Sequence, residues 1–163
     1  MPFRKTAGVS LIILAAGCAS TVQVPDHLKP GANESLALVV PAKGDQIYEC
    51  RGSKWVFVAP EAELFDAAGK KIGRHYAGPH WESADGSRIA GVVKERADAP
   101  IAGAIPWLLL GAKSVGGEGA FSRVTSIQRV ATAGGVAPAG GCVQPGAQAR
   151  VGYTADYYFF TAK

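Results

Sequence analysis

The chain has 163 residues, with 17 Lys+Arg against 13 Asp+Glu, a formal charge of +4 and 48% hydrophobic residues. It is too apolar for a disordered chain and too short for more than one ordinary domain. Its 21 Gly and 10 Pro lack the strict period of collagen, and no apolar run reaches the roughly 18 residues of a membrane-spanning helix.

Arg4 and Lys5 form a short basic region, followed by an apolar stretch over residues 7–16. That is the layout of a secretory signal. The stretch ends in Leu14-Ala15-Ala16-Gly17-Cys18, which resembles a bacterial lipobox. The resemblance implies cleavage before Cys18 and a lipid on that cysteine. Ala19 in the next position favours the outer membrane on the same resemblance. The alternative is an ordinary signal peptide cut slightly later, leaving a soluble periplasmic protein. Residues 1–17 are thus read as signal peptide, 18–34 as a lipid tether rich in turn residues, and 35–163 as the domain. Loss of Arg4 and Lys5 with the leader lowers the charge from +4 to +2. Nucleic acid is not an expected partner, because it needs a dense Lys/Arg face.

With Cys18 lipidated, Cys50 and Cys142 remain. An oxidising compartment permits a disulfide between them; the alternative is two buried thiols that never meet. Neither cysteine has a neighbouring motif that would activate it as a nucleophile.

From Ser35 the chain is short apolar runs broken by turn residues. Leu36 opens a run that Pro41 is expected to end. Gln46-Ile47-Tyr48-Glu49-Cys50 and Trp55-Val56-Phe57-Val58 flank a turn at Arg51-Gly52-Ser53. Glu63-Leu64-Phe65 leads into a turn at Gly69, and Ile72 opens the next run, closed by Gly78-Pro79. Asp85-Gly86 is the strongest hairpin signal, because both residues tolerate positive φ. As a two-residue turn it pairs Ala84 with Ser87, Glu82 with Ile89 and His80 with Gly91. Trp107-Leu108-Leu109-Leu110 is apolar on both faces, so periodicity leaves strand or helix turn open. Residues 121–130 have Val124, Ile127 and Val130 at helical spacing, but β-branched composition. Near the C-terminus, Val151, Tyr153, Ala155, Tyr157 and Phe159 alternate on one strand face. Turns every ~8–15 residues and no long amphipathic helix predict an all-β, single-domain sandwich or Greek-key barrel.

Several pieces then carry a family likeness. They include His75-Tyr76-Ala77-Gly78-Pro79-His80-Trp81-Glu82 running into Asp85-Gly86-Ser87, Gly103-Ala104-Ile105-Pro106-Trp107, Phe121-Ser122-Arg123-Val124-Thr125-Ser126, Gly141-Cys142 and the Tyr153 strand. In this order they resemble the family catalogued as domain of unknown function 3455, over roughly residues 35–161. The resemblance implies secreted or envelope proteins of bacteria, with relatives in fungi. It carries no established activity, so no catalytic residue follows from it. Ala77-Gly78-Pro79-His80 is also similar to a stretch of copper/zinc superoxide dismutases. The three histidines of this chain cannot build their two-metal site.

The sharpest chemical cluster is His75, His80, Trp81, Glu82 and Asp85. On the hairpin, His80 and Glu82 share a face, with Trp81 and Ser83 on the other beside Arg88 and Ala90. An imidazole beside a carboxylate can act as an oriented base or, with His75, hold a divalent metal. The blander outcome is a hydrogen-bonded rim histidine, a solvated Glu82 and an Asp85 that only makes the turn. Trp81 is the best placed of the three tryptophans to stack on a ligand.

The sequence thus reads as a cell-envelope lipoprotein whose domain binds a small molecule, a glycan or an envelope protein around residues 75–85, without catalysis and without a cofactor. Two alternatives stand beside it: a small hydrolase or metal-dependent enzyme using His80 and Glu82, and a structural spacer. Substituting Cys18→Ser is expected to move the protein from the membrane to the soluble envelope fraction; retention in the membrane fraction contradicts the lipid anchor.

Overall fold

The computed structural model describes residues 22–163; the leader and Cys18 lie outside them. A 3-10 turn, Asp26–Leu28, precedes eight strands: β1 Glu34–Arg51, β2 Lys54–Phe65, β3 Lys71–Tyr76, β4 His80–Ser83, β5 Arg88–Ala97, β6 Trp107–Gly116, β7 Val124–Gly134 and β8 Gln148–Ala162. Each strand pairs antiparallel with the next, and β8 returns to β1 to close a barrel. The all-β, single-domain expectation holds. Of the architectures expected, the barrel is the one found, wound up and down rather than as a Greek key.

The strands are longer than the turn signals suggested. Pro41 does not end a run but sits inside β1, one residue before pairing to β2 begins at Ala42↔Leu64. Pro60 lies within β2, which has no β3 partner until Ala62. Both prolines occupy edge positions, where a missing N–H costs least. At Gly44 the backbones of β1 and β2 come so close that a Cβ would collide with Glu61 and Ala62.

Alternation sends Val40, Ala42, Tyr153, Ala155, Tyr157 and Phe159 into the lumen, where they meet Trp81, Leu64, Ile89 and Leu110. The apolar run of β6 is strand, and both its faces are covered. Leu110 joins the lumen core, whereas Trp107 and Leu109 pack outside with Val130 and Leu28. The 121–130 ambiguity resolves to strand from Val124 onward, with 121–123 in the preceding turn. A register shift between Val124 and Ser126 changes the phase of β7. It gives Val124 and Ile127 one buried side at a spacing of three, with Val130 on the outer wall.

The outer cluster changes the reading of residues 18–34. Leu28 is fully buried against Trp107 and Val130, and its carbonyl accepts from Gln128 Nε2 at 2.5 Å. The described part of the expected tether is therefore docked along the barrel wall.

The two ends of the barrel differ. The base is plugged by loop 117–123: Phe121 is buried edge-on against Phe159, with ring centroids 4.9 Å apart. The opposite end carries loops 98–106 and 135–147. Cys50 and Cys142 form the expected disulfide, which pins the longer of these loops to the end of β1. The Cys142 N–H donates to the Ser53 carbonyl at 3.1 Å and the Cys50 N–H to the Ala147 carbonyl at 2.8 Å. The cross-link spans 92 residues of chain, worth about 4 kcal/mol in the chain-entropy treatment. Cys142→Ser is expected to lower the unfolding free energy in urea by several kcal/mol, roughly 2–5; an unchanged midpoint contradicts that role.

Candidate functional site

The lumen is filled at the base and hollow towards the mouth, where a cavity of ≈ 730 Å³ lies. Its wall follows from strand lengths. β2 meets β3 only from Ala62 onward, and β4 meets β5 only through His80, Trp81 and Glu82. Residues 54–61 of β2 and 92–97 of β5 thus face each other across a short β3–β4 hairpin without a strand between them. The cavity reaches this notch through Phe57, Val58, Pro79, Val93 and Arg96. Phe57, Val58 and Val93 are exposed on its lips.

Deeper in, the wall is aromatic. His75 and Trp81 stack at 4.2 Å with planes 16° apart, and Tyr157 meets both rings edge-on. Gly91 makes this possible, because a side chain there would strike the Trp81 ring. Tyr48 closes the upper wall, donating from its hydroxyl to the Gly135 carbonyl at 2.6 Å.

The polar groups of the cavity are few. His75 is 3% exposed, and its Nδ1 donates to the His80 carbonyl at 2.8 Å. That bond fixes the neutral tautomer and leaves Nε2 as an acceptor. Burial drives its pKa down to about 3, against a smaller raising effect of the His80 carbonyl. Burial also pushes Tyr157 upward, opposed by the nearby Arg129 charge. Arg129 is half-buried and binds the Pro106 carbonyl through Nε and Nη2, at 3.1 and 2.8 Å. Gln46 Nε2 and Trp81 Nε1 are buried donors that make no hydrogen bond of good geometry.

The cluster expected around residues 75–85 is divided among three places. His75 and Trp81 lie inside the barrel. His80 and Glu82 share the outer face, as expected from the pleat. Glu82 is engaged there by the Tyr76 hydroxyl at 2.7 Å and by Arg74 Nη2 at 3.0 and 3.2 Å. The Tyr76 bond is the largest of the effects that lower its pKa. His80 stacks on Tyr76 and donates from Nδ1 to the Ala77 carbonyl at 2.6 Å. Asp85 sits at the base. It accepts from the Ser87 hydroxyl and the Ser87 and Ala120 amides at 2.6, 2.9 and 2.8 Å, which hold its pKa well below the carboxylate range.

His75, His80 and Glu82 therefore do not converge, and no group of three or more metal-ligating side chains forms among the described residues. The expected hairpin register is also off by one: Glu82 faces Arg88 and His80 faces Ala90. Ser83 N–H bonds Ser87 O and Gly86 N–H bonds Ser83 O. The loop thus has three residues, Ala84, Asp85 and Gly86, with Gly86 at φ 88°, a turn followed by a left-handed residue. Arg88 consequently shares the outer face with Glu82 instead of the inner face with Trp81.

Gln46, Arg96 and Arg129 escaped the sequence reading. For Gln46 a signal existed: it takes the inward position in the alternation Val40, Ala42, Gly44, Gln46, Tyr48, and a polar group in a core phase calls for a partner. Arg129 carries the same signal, two residues from the inward Ile127.

The family described as Protein of unknown function (DUF3455) matches residues 30–161. The chain belongs to this family. No curated protein matches it. The DUF3455 match begins at Pro30 and takes in seven strands whole, β8 up to Thr161 and every cavity residue named above.

Burial of neutral His75 has a consequence for stability. The unfolded ring titrates near 6.5 and the folded one near 3, so between those values the unfolded chain binds the extra proton. Stability is full above the higher value and falls as pH drops through the window, by up to ~1.4 kcal/mol per pH unit. Urea midpoints measured from pH 7 to 4 are expected to fall less steeply for His75→Gln than for the unmodified protein. Equal slopes contradict the assignment.

Proposed function

We propose that this protein is a cell-envelope lipoprotein, anchored at Cys18, whose barrel is a non-enzymatic binding module for a small amphipathic molecule. The open cavity of ≈ 730 Å³ at the barrel mouth carries this reading. Its size falls in the ~300–1,000 Å³ range of small-molecule sites, and apolar walls with a few polar groups are their usual composition. Eight strands also suit a lumen that holds one small ligand.

A small apolar body fits this wall better than a glycan, which presents many hydroxyls and asks for as many polar partners. The outer-face pair His80 and Glu82 is the weaker candidate. Glu82 is already paired with Tyr76 and Arg74, and the cavity lies on the other side of the sheet.

The neutral dye N-phenyl-1-naphthylamine tests the cavity. Saturable fluorescence enhancement with ~1:1 stoichiometry is expected. Val93→Trp, on the exposed lip of the notch, is expected to weaken binding by ~10-fold, a loss of about 1.4 kcal/mol, with cooperative unfolding retained. No saturable enhancement, or full binding in Val93→Trp, overturns the cavity as the site.

A further inference from the structure

Resting on the cavity reading, we infer that the ligand is an aromatic carboxylate, its ring held by the His75–Trp81–Tyr157 wall and its anionic head turned to Arg129 and Gln46. The charge balance of the cavity points this way. Two arginines, Arg96 and Arg129, line it, and no Asp or Glu does. The ion pairs of the described residues engage Arg51, Arg74 and Arg150 but neither of these two. Arg129 donates to the Pro106 carbonyl through Nε and Nη2 and also reaches the Tyr157 hydroxyl, but among the described residues it has no carboxylate partner. A half-buried guanidinium against a neutral carbonyl retains donors and an unbalanced charge, the setting in which a carboxylate is bound most strongly.

The second observation is independent of charge. Gln46 is 3% exposed and lines the same cavity, and its Nε2 makes no hydrogen bond of good geometry, with the Tyr153 hydroxyl as its one neighbouring acceptor. Buried donors are nearly always satisfied, so an unsatisfied one at the wall of a cavity calls for an acceptor from outside the chain. Trp81 Nε1 is a further buried donor without a partner beside it. Donors thus outnumber acceptors: an amide N–H, an indole N–H and two guanidiniums against the acceptor His75 Nε2, with tyrosine hydroxyls that can serve either way. A carboxylate supplies acceptors only. A cationic or donor-rich ligand would face like charges and unpaired protons.

The body of the ligand follows from the walls. Tyr48, Trp55, Phe57, His75, Trp81 and Tyr157 are all cavity residues. Rings of this density favour a planar aromatic partner through offset and edge contacts. A flexible alkyl chain gains the same burial but must lose more rotamer freedom. Arg96, exposed at the notch beside Val93, stands where an anion would first arrive. Arg129 lies deeper.

The test uses matched probes on the mature protein. 2-Naphthoate is compared with its neutral counterpart 2-naphthamide, and dodecanoate serves as the alkyl acid, all read by displacement of N-phenyl-1-naphthylamine. Naphthoate is expected to bind at least ~10-fold tighter than naphthamide, the scale of one charged hydrogen bond, and tighter than dodecanoate. Arg129→Met is expected to bring the acid-to-amide affinity ratio to about one, whatever it does to the affinity of both probes. Where Arg129→Met loses cooperative unfolding, the unmodified protein decides: the carboxyl ¹³C shift of labelled naphthoate is expected to titrate at least ~1 pH unit lower when bound than when free.

Equal binding of acid and amide, or a bound carboxyl that titrates higher, overturns the anion assignment and leaves the cavity reading intact. Dodecanoate preferred over naphthoate overturns the aromatic class alone. Dye binding that none of the three probes displaces overturns this inference as well. Failure of the dye itself to bind overturns the cavity reading beneath it.

Discussion

The ladder between β1 and β8 is what the rest of the molecule depends on. It runs from Glu34↔Ala162 to Glu49↔Gln148 with one irregularity near Leu36, and it turns a meander into a closed wall. Without it, the aromatics of β8 would face water on an edge strand, and His75 and Trp81 would lose the Tyr157 edge that packs on both rings. Closure also removes most of the free edges that an open sheet must otherwise protect. The disulfide acts at the mouth end of the same ladder, holding the 135–147 loop against the end of β1.

Within that wall, unequal strand lengths divide packing from binding. Where the strands run alongside one another at the base, side chains of both faces interlock, and Phe121 closes the floor. Where β3 and β4 stop short, the interior has no wall to pack against and stays hollow. The cavity is therefore a product of topology and of a short hairpin. Its polarity comes from a few inward-phase positions that are not apolar: Gln46, His75 and Arg129. The cost of burying them is met in part by the His80 and Pro106 carbonyls, themselves held by the 77–79 turn and the 98–106 loop.

Much of this was legible in the sequence. Period-two alternation in 151–159 named the lumen face of β8 correctly, because that strand is regular along those residues. The Cys50–Cys142 bond followed from compartment and count. The failures share a physical origin. Pro41 read as a break because sequence does not show which strand flank lacks a neighbour. The 121–130 segment read as helix or strand because a register irregularity changed its phase, and the hairpin slipped by one because Asp85-Gly86 serves a three-residue loop as well as a two-residue one. The expected site cluster is split by the sheet. His75 and Trp81 do line a cavity. His80 and Glu82, adjacent in sequence, alternate to the opposite side of a sheet one residue thick. Arg129 and Gln46 meet the cavity from distant strands, a juxtaposition only barrel closure creates.

The docked N-terminal segment has a mechanical consequence. Glu34 starts at the base, yet Leu28 and Val24 pack with Ala97, Ala99 and Trp107 at the mouth, and His27 Nε2 donates to the Arg96 carbonyl at 3.2 Å. The chain thus doubles back up the outer wall before it leaves. With a lipid on Cys18, as proposed, three residues separate the anchor from Val22, a leash of at most ~14 Å over its four Cα–Cα steps. On that proposal, such a leash would hold the barrel mouth-down towards the leaflet, with the exposed Ile101, Val136 and Val143 of the mouth loops leading. A ligand would then be exchanged across the lipid–water boundary, with the plugged base turned to the aqueous side.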